Sequence, residues 1–417
     1  MCFLPDKERC QKNGIKLGSY FDTVLKLPCR RKSTQRSALN LLLMNQRYLS
    51  IDFFRGLTIA FMIIVNTPGT GDFVYPQLRH AVWHGCTFTD LVFPSFMFII
   101  GVSMWFSFGK FDRKWSAQAG WKILRRTALL FLIGLILNNF PFLWENWDTW
   151  RIMGVPQRLA LGYGVASVLV LTCERRVLLG LSAAFLLLYW GLLNWFVMPG
   201  SDPYQAIGSA VLQLDRWLFG EAHLYKELVG QNLRIPFDPE GVLSTLPAVV
   251  TVILGWLSGE LMASRSRQKF VLVRDLLLFG VVCGFAGLAW DLFFPINKKL
   301  WTSSYVLYVG GLSMILFAFS IWLIDVRGWR KGTGFFLTFG ANSLFAYFLS
   351  EALIISLYAI RWGEGDAATN AKDWIYNTVF QSLAPTQFAS FLFAIAYMML
   401  CWLVCRWLFV RKIFIKI

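Results

Sequence analysis

The sequence predicts an all-α, polytopic integral membrane protein with about 10 transmembrane helices, and three observations predict it. Of 417 residues, 56% are hydrophobic and 17% aromatic, but only 15% are charged, less than a soluble chain of this size carries. The apolar residues gather in runs of about 20, the length a helix needs to cross the hydrocarbon core. The 19 tryptophans suit the membrane–water boundary, where the amphipathic indole is favoured. No segment shows the alternation that a transmembrane barrel needs in every strand.

The spans fall near residues 51–69, 87–108, 127–143, 155–173, 177–198, 242–262, 275–294, 304–325, 334–360 and 386–410. Ahead of them, residues 1–46 are polar and basic, with PCRRKSTQR at 28–36. They lack the apolar core and small-residue cleavage site of a secretory signal. They read as a disordered cytoplasmic tail, with Met44 as an alternative natural start, and 47–417 as one transmembrane domain. If the tail is inside, 29 of the 40 Lys and Arg residues lie on inner segments. The positive-inside rule then puts both termini in the cytoplasm. The net charge of +16 is accordingly assigned to topology and anionic lipid, not to nucleic acid. The eight cysteines include no Cys-x-x-Cys pair and read as free thiols.

Most of the polar chemistry lies in the outer loops: NTPGTGDFVYPQLRHAVWHGC at 66–86, PFDPEG at 236–241 and PINKKLWTSS at 295–304. This topology puts them at one membrane face, so they are expected to converge. Two of the three histidines, His80 and His84, sit here with Trp83 between them. Histidine is the side chain best suited to move a proton near neutral pH. A spacing of four also suits a metal pair, but no HExxH glutamate accompanies it, and Cys86 or Asp90 would have to complete the set. The residues alone leave a general base or a plain interfacial histidine open, and no metal is expected. Asp90 either caps the TFTD helix entry or orients His80. Asn66, before a Pro–Gly break, is either a helix-end residue or a donor to a substrate carbonyl.

Asp52 and Arg55 share a helical face at the inner end of the first span, as a structural ion pair or as contacts to a charged ligand. Arg151 and Arg158 break the positive-inside pattern, so they are either paired and ligand-facing or snorkelling to headgroups. Asp238 and Glu240 favour a helix N-terminus or bind an acceptor. Asn297, Lys298 and Trp301 are candidates for sugar recognition, with Trp301 as the stacking platform or simply an interfacial anchor.

Taken in order, SIDFFRGLTIAFMIIVN, the His80–Trp83–Gly85 segment running into TDLVFPSFMFIIG, RIMGVPQRLALGY, FDPEGVLSTLPAVVTVILG, PINKKLWTSSYVLYVGG and FGANSLFAYFLSE resemble the heparan-alpha-glucosaminide N-acetyltransferase family and its bacterial relatives. The resemblance implies a transmembrane acetyltransferase that takes acetyl-CoA from the cytoplasm and acetylates an amino sugar on the far side. It implies catalytic roles for the residues at Asn66 and His80 and a supporting acid and arginine at Asp52 and Arg55. The lysosomal enzyme carries Asn where this chain has His84. The implied setting is a bacterial inner membrane, and the implied acceptor a cell-envelope or recycled amino sugar.

The expected mechanism is acyl transfer. His80 takes the proton of the acceptor amine, Asn66 donates to the oxyanion, and Arg125 and Arg126 attract the coenzyme A phosphates. A homodimer stays open, as does an acetyl-His80 intermediate. The rival is a sugar or lipid-linked sugar transporter or flippase without chemistry. No phosphate-binding P-loop supports ATP-driven transport.

Overall fold

The computed structural model describes residues 48–141, 147–229, 233–363, 368–382 and 386–415, which form one compact unit. The basic tail expected at 1–46 lies outside the described residues. The helices are α1 Leu49–Asn66, α2 Phe88–Ser107, α3 Ala117–Asn139, α4 Val155–Thr172, α5 Arg175–Trp195, α6 Ala210–Phe219, α7 Val242–Ser264, α8 Lys269–Asp291, α9 Ser303–Ile321, α10 Thr333–Ala341, α11 Ser343–Ala359, α12 Ala371–Ile375 and α13 Gln387–Val410. A two-stranded hairpin, β1 Lys226–Val229 and β2 Leu233–Pro236, pairs Lys226 with Pro236 and Val229 with Leu233.

Each of the ten expected segments contains helix among its described residues. Among the described residues, eight helices are long and apolar enough to span a bilayer alone. The segment expected as one span at 334–360 is instead broken: α10 and α11 meet at an 83° bend. Asn342 sits at the break, where its side chain donates to the Ile413 carbonyl and accepts from the Ile415 amide, both at 2.9 Å. These bonds tie the break to the segment that follows α13. The segment expected at 127–143 starts earlier, at Ala117, because Ser116 caps it by accepting from the Ala119 amide. Its first half carries Lys122, Arg125 and Arg126, and the apolar part from Thr127 to Asn139 reaches only about 20 Å.

The helices at the centre of the bundle are those whose surfaces allow close approach. A Cβ on Gly101 would stand 2.0 Å from the Val252 carbonyl oxygen, and one on Gly255 1.9 Å from that of Phe98. The α2 and α7 backbones therefore touch, as small residues permit between membrane helices. These helices bury 78% and 72% of their spans inside the protein, against 28% for α5 and 22% for α8. The apolar surface left on α5 and α8 is the surface that suits lipid.

Four connections meet at one end of the bundle: residues 67–87, 196–241, 292–302 and 360–386. Gly85 donates to the Ile296 carbonyl (2.7 Å), Trp83 Nε1 to the Tyr204 carbonyl (2.7 Å), Lys299 to Glu227 (2.9 Å), and Lys372 to the Gly69 carbonyl. Under them, Tyr189, Val211, Phe237, Phe294 and Leu300 form an apolar cluster separate from the main core. The convergence expected of the three polar segments is thus built from backbone and side-chain hydrogen bonds.

Candidate active site

At this end the imidazole of His80 lies on the carboxylate of Asp90, with Nδ1 2.7 Å from Oδ1. The other oxygen of Asp90 accepts from the backbone amides of Ala81 and Thr87, each at 3.0 Å. Thr87 and Asp90 also form the reciprocal capping box that starts α2. Both readings of Asp90 therefore hold together: one oxygen starts the helix and the other faces the histidine. With Nδ1–H donated to Asp90, Nε2 keeps its lone pair, the tautomer that acid–base chemistry requires.

Lys298 approaches the same pair, its Nζ 3.1 Å from His80 Nδ1 and 3.5 Å from Asp90 Oδ1. Burial, reinforced by the Lys298 charge, holds His80 below the ordinary histidine value against the opposing pull of Asp90. The imidazole is thus neutral at pH 7. Burial also lowers Lys298 itself. A tight turn holds that lysine in place. Asn297 Oδ1 accepts from the Leu300 amide at 2.9 Å, and Trp301 takes a left-handed backbone with φ 54°, costly for a non-glycine residue. Cys86 is pushed up to about 12 by burial and then by Asp90, so it stays a thiol rather than a nucleophile.

Asn66 lies across from His80. Both line an open cleft of ≈ 460 Å³ together with Arg79, Glu351, Gly71 and Val74. Asn66 is the last residue of α1, but its side chain is not spent on the helix end. Its Nδ2 donates to Glu351 Oε1 of α11 at 3.2 Å, while Thr67 takes the capping position. Sequence reasoning missed Glu351. An acid eight residues into an apolar span, in FLSE, was the available signal, since such a group is costly in a membrane without a task. Arg79 spends its guanidinium on the carbonyls of Gly71 (3.1 Å) and Asp72 (3.0 Å), which ties the loop around the cleft.

Arg151 makes a bidentate pair with Asp238 (2.9 Å twice) and reaches Glu240 at 2.8 Å. Glu240 lies close enough to act electrostatically on His80 and Lys298, so this triad borders the site. Arg158 is fully buried. It donates to Ser244 and the Gly241 carbonyl and stands 4.8 Å from the ring centre of Trp301. Neither snorkelling nor ligand contact is open to it. Trp301, 1% exposed and packed on Phe93 and Tyr305, has no free face and cannot be the sugar platform expected from sequence. Asn297 is also buried, and its side chain lies 3.4 Å from His84. His80 and His84 thus turn to different partners, and Trp83 packs on Phe237.

Asp52 and Arg55 lie at the far end of α1, about 20 Å from Asn66 by helical rise. Arg55 bonds Asp52 (3.3 Å), the Gly340 carbonyl (3.3 Å) and Ser103 (2.5 Å), joining α1, α10 and α2. Also at that end, Arg126 stands 4.5 Å from the ring centre of Tyr163, with its Nε and the Tyr163 hydroxyl buried without partners among the described residues. Burial and then the charges of Lys110 and Arg126 bring Lys122 down to about 8. Among the described residues, no ion pair joins Lys110, Lys122, Arg125 or Arg126 to an acid.

Against known sequences, the family described as heparan-alpha-glucosaminide N-acetyltransferase, catalytic, matches residues 47–212. That stretch holds Asp52, Asn66, His80, Asp90, Arg151 and Arg158, but not Lys298 or Glu351. The mouse (Mus musculus) heparan-alpha-glucosaminide N-acetyltransferase is 30% identical over 405 residues, covering 84% of this chain and 59% of the relative. The human (Homo sapiens) protein of the same name is 30% identical over 389 residues, covering 81% and 57%. The chain therefore spans under two thirds of the length of these curated relatives.

Proposed function

Because the chain belongs to the heparan-alpha-glucosaminide N-acetyltransferase family, we propose that it is a multi-pass membrane acetyltransferase carrying an acetyl group from cytoplasmic acetyl-CoA to the amine of an amino sugar on the opposite face. The observation that carries this reading is the 2.7 Å contact of His80 with Asp90 in a cleft shared with Asn66. A neutral imidazole with an anchored Nδ1 and a free Nε2 is a general base, and a neighbouring amide is an oxyanion donor.

In this reading the acceptor nitrogen attacks the thioester carbonyl as His80 Nε2 takes its proton. The C–N bond forms and the C–S bond breaks. The departing thiolate recovers the proton from the imidazolium, which Asp90 stabilises meanwhile. Asn66 Nδ2 donates to the carbonyl oxygen as its charge grows. Direct transfer needs no more than this. The donor enters at the far end, where Lys110, Lys122, Arg125 and Arg126 supply uncompensated positive charge for its phosphates. Asp52 and Arg55 knit the helices at that mouth. A bacterial inner membrane with both termini in the cytoplasm is the setting that fits this charge distribution.

The test is purified protein in detergent with labelled acetyl-CoA and glucosamine. We expect N-acetylglucosamine in multiple turnovers. Thermal stabilisation by acetyl-CoA with no product would contradict the reading and favour a transporter.

A further inference from the structure

We propose that Glu351 is the acceptor-binding residue of this site, the carboxylate that receives the substrate nitrogen as an ammonium ion. The inference rests on the acetyltransferase reading above and assigns it a specificity determinant outside the matched catalytic region. Among the described residues, Glu351 is the one acid lining the cleft that holds His80 and Asn66. Its Oε1 accepts from Asn66 at 3.2 Å, the one hydrogen bond its carboxylate makes among the described residues. No lysine or arginine is paired with it among them either. Arg79 lines the same cleft, and its Nη2 donates to two backbone carbonyls rather than to Glu351.

An unpaired carboxylate within a membrane span is costly, and such groups persist where a cation is met. A primary amine on a sugar is largely protonated at neutral pH, so it arrives as that cation. Glu351 holds it beside Asn66; the ammonium gives up one proton to water in the open cleft, which frees the nitrogen lone pair, and His80 on the other wall takes the second as the C–N bond forms. A hydroxyl acceptor carries no such charge, so the same carboxylate selects nitrogen over oxygen. The bond from Asn66 gives the pair a second use, because it keeps the amide turned into the cleft.

The experiment compares wild type, Glu351→Gln and Glu351→Asp. Steady-state rates with glucosamine and acetyl-CoA are read beside the melting shift caused by glucosamine alone. The expected result for Glu351→Gln is a KM for glucosamine raised about tenfold or more, the scale of a lost charge-assisted bond. Its kcat should stay within about threefold and the KM for acetyl-CoA should not change. Glucosamine should stabilise wild type and Glu351→Asp but not Glu351→Gln. A fall in kcat at unchanged KM would overturn the proposal, leaving Glu351 only as a prop for Asn66, and an unaltered Glu351→Gln would also overturn it. If wild type is stabilised by glucosamine but forms no product, the transferase reading fails while amine binding by Glu351 stands.

Discussion

The two ends of the bundle each hold a charged cluster, and the clusters differ. Around His80 the basic groups are paired: Arg151 with Asp238 and Glu240, Lys299 with Glu227, Lys298 with Asp90 and His80. At the Arg55 end, Arg55 pairs with Asp52 and Arg265 with Asp275, but Lys110, Lys122 and Arg126 crowd one another with no acid partner among the described residues. Paired charges fix geometry to within a few tenths of an ångström and serve a reaction that needs held atoms. Unpaired like charges cost stability and serve to draw in an anion. In the proposed function one end is the reaction site and the other the port.

That contrast can be broken by five measurements. His80→Ala should lower acetyl transfer by about 10²–10⁴-fold, the range for a lost general base, with an unchanged melting temperature. Full activity in this variant would remove the base from the account. Asp90→Asn should lower kcat by about 10²-fold or more through the wrong tautomer. It should also cost about 1 kcal/mol of stability through the lost capping box, read by thermal melting. Arg151→Met leaves two carboxylates facing each other in a buried setting. The expected loss is about 3 kcal/mol of stability, seen as a lower melting temperature with or without substrate.

At the other end the sign reverses. Lys122→Gln should leave melting unchanged or raise it, because a repulsion is removed. It should raise the KM for acetyl-CoA about threefold, an effect that fades at high salt. Lys298→Met is the subtlest. Its charge helps hold His80 low, so its removal raises the histidine pKa, although burial, the larger cause, persists. In the proposed mechanism the neutral imidazole is the active form, so activity falls as pH drops through that pKa. The acid limb of the kcat/KM profile should therefore move to higher pH in the variant.

How much of this was legible in the sequence depends on what each residue does. The helices were legible because bilayer thickness imposes a long apolar run on each span. His80 and Asn66 stood out as candidates because they stand in ordered motifs and because histidine is scarce in this chain, and the structure places both on one cleft. Asp90 left two readings that could not be separated, since a TFTD helix entry looks the same with or without a histidine folded over it. Trp301 and Arg158 were misread for a common reason. A Trp or Arg in a polar loop flanking a span has the same local signature at a lipid interface as when buried against the other, and only the fold brings those two together. The break at Asn342 was hidden because both half-helices are apolar. Glu351 was passed over because its partner, Asn66, is remote in the chain.

The central claim is that the acyl group crosses from the basic end to the His80 end. The direct test is protein reconstituted in sealed vesicles, sorted by orientation, with acetyl-CoA on one side and glucosamine on the other. The account predicts acetylation when acetyl-CoA faces the Lys122 end and glucosamine the His80 end. Product formed only when both substrates share one side would contradict it.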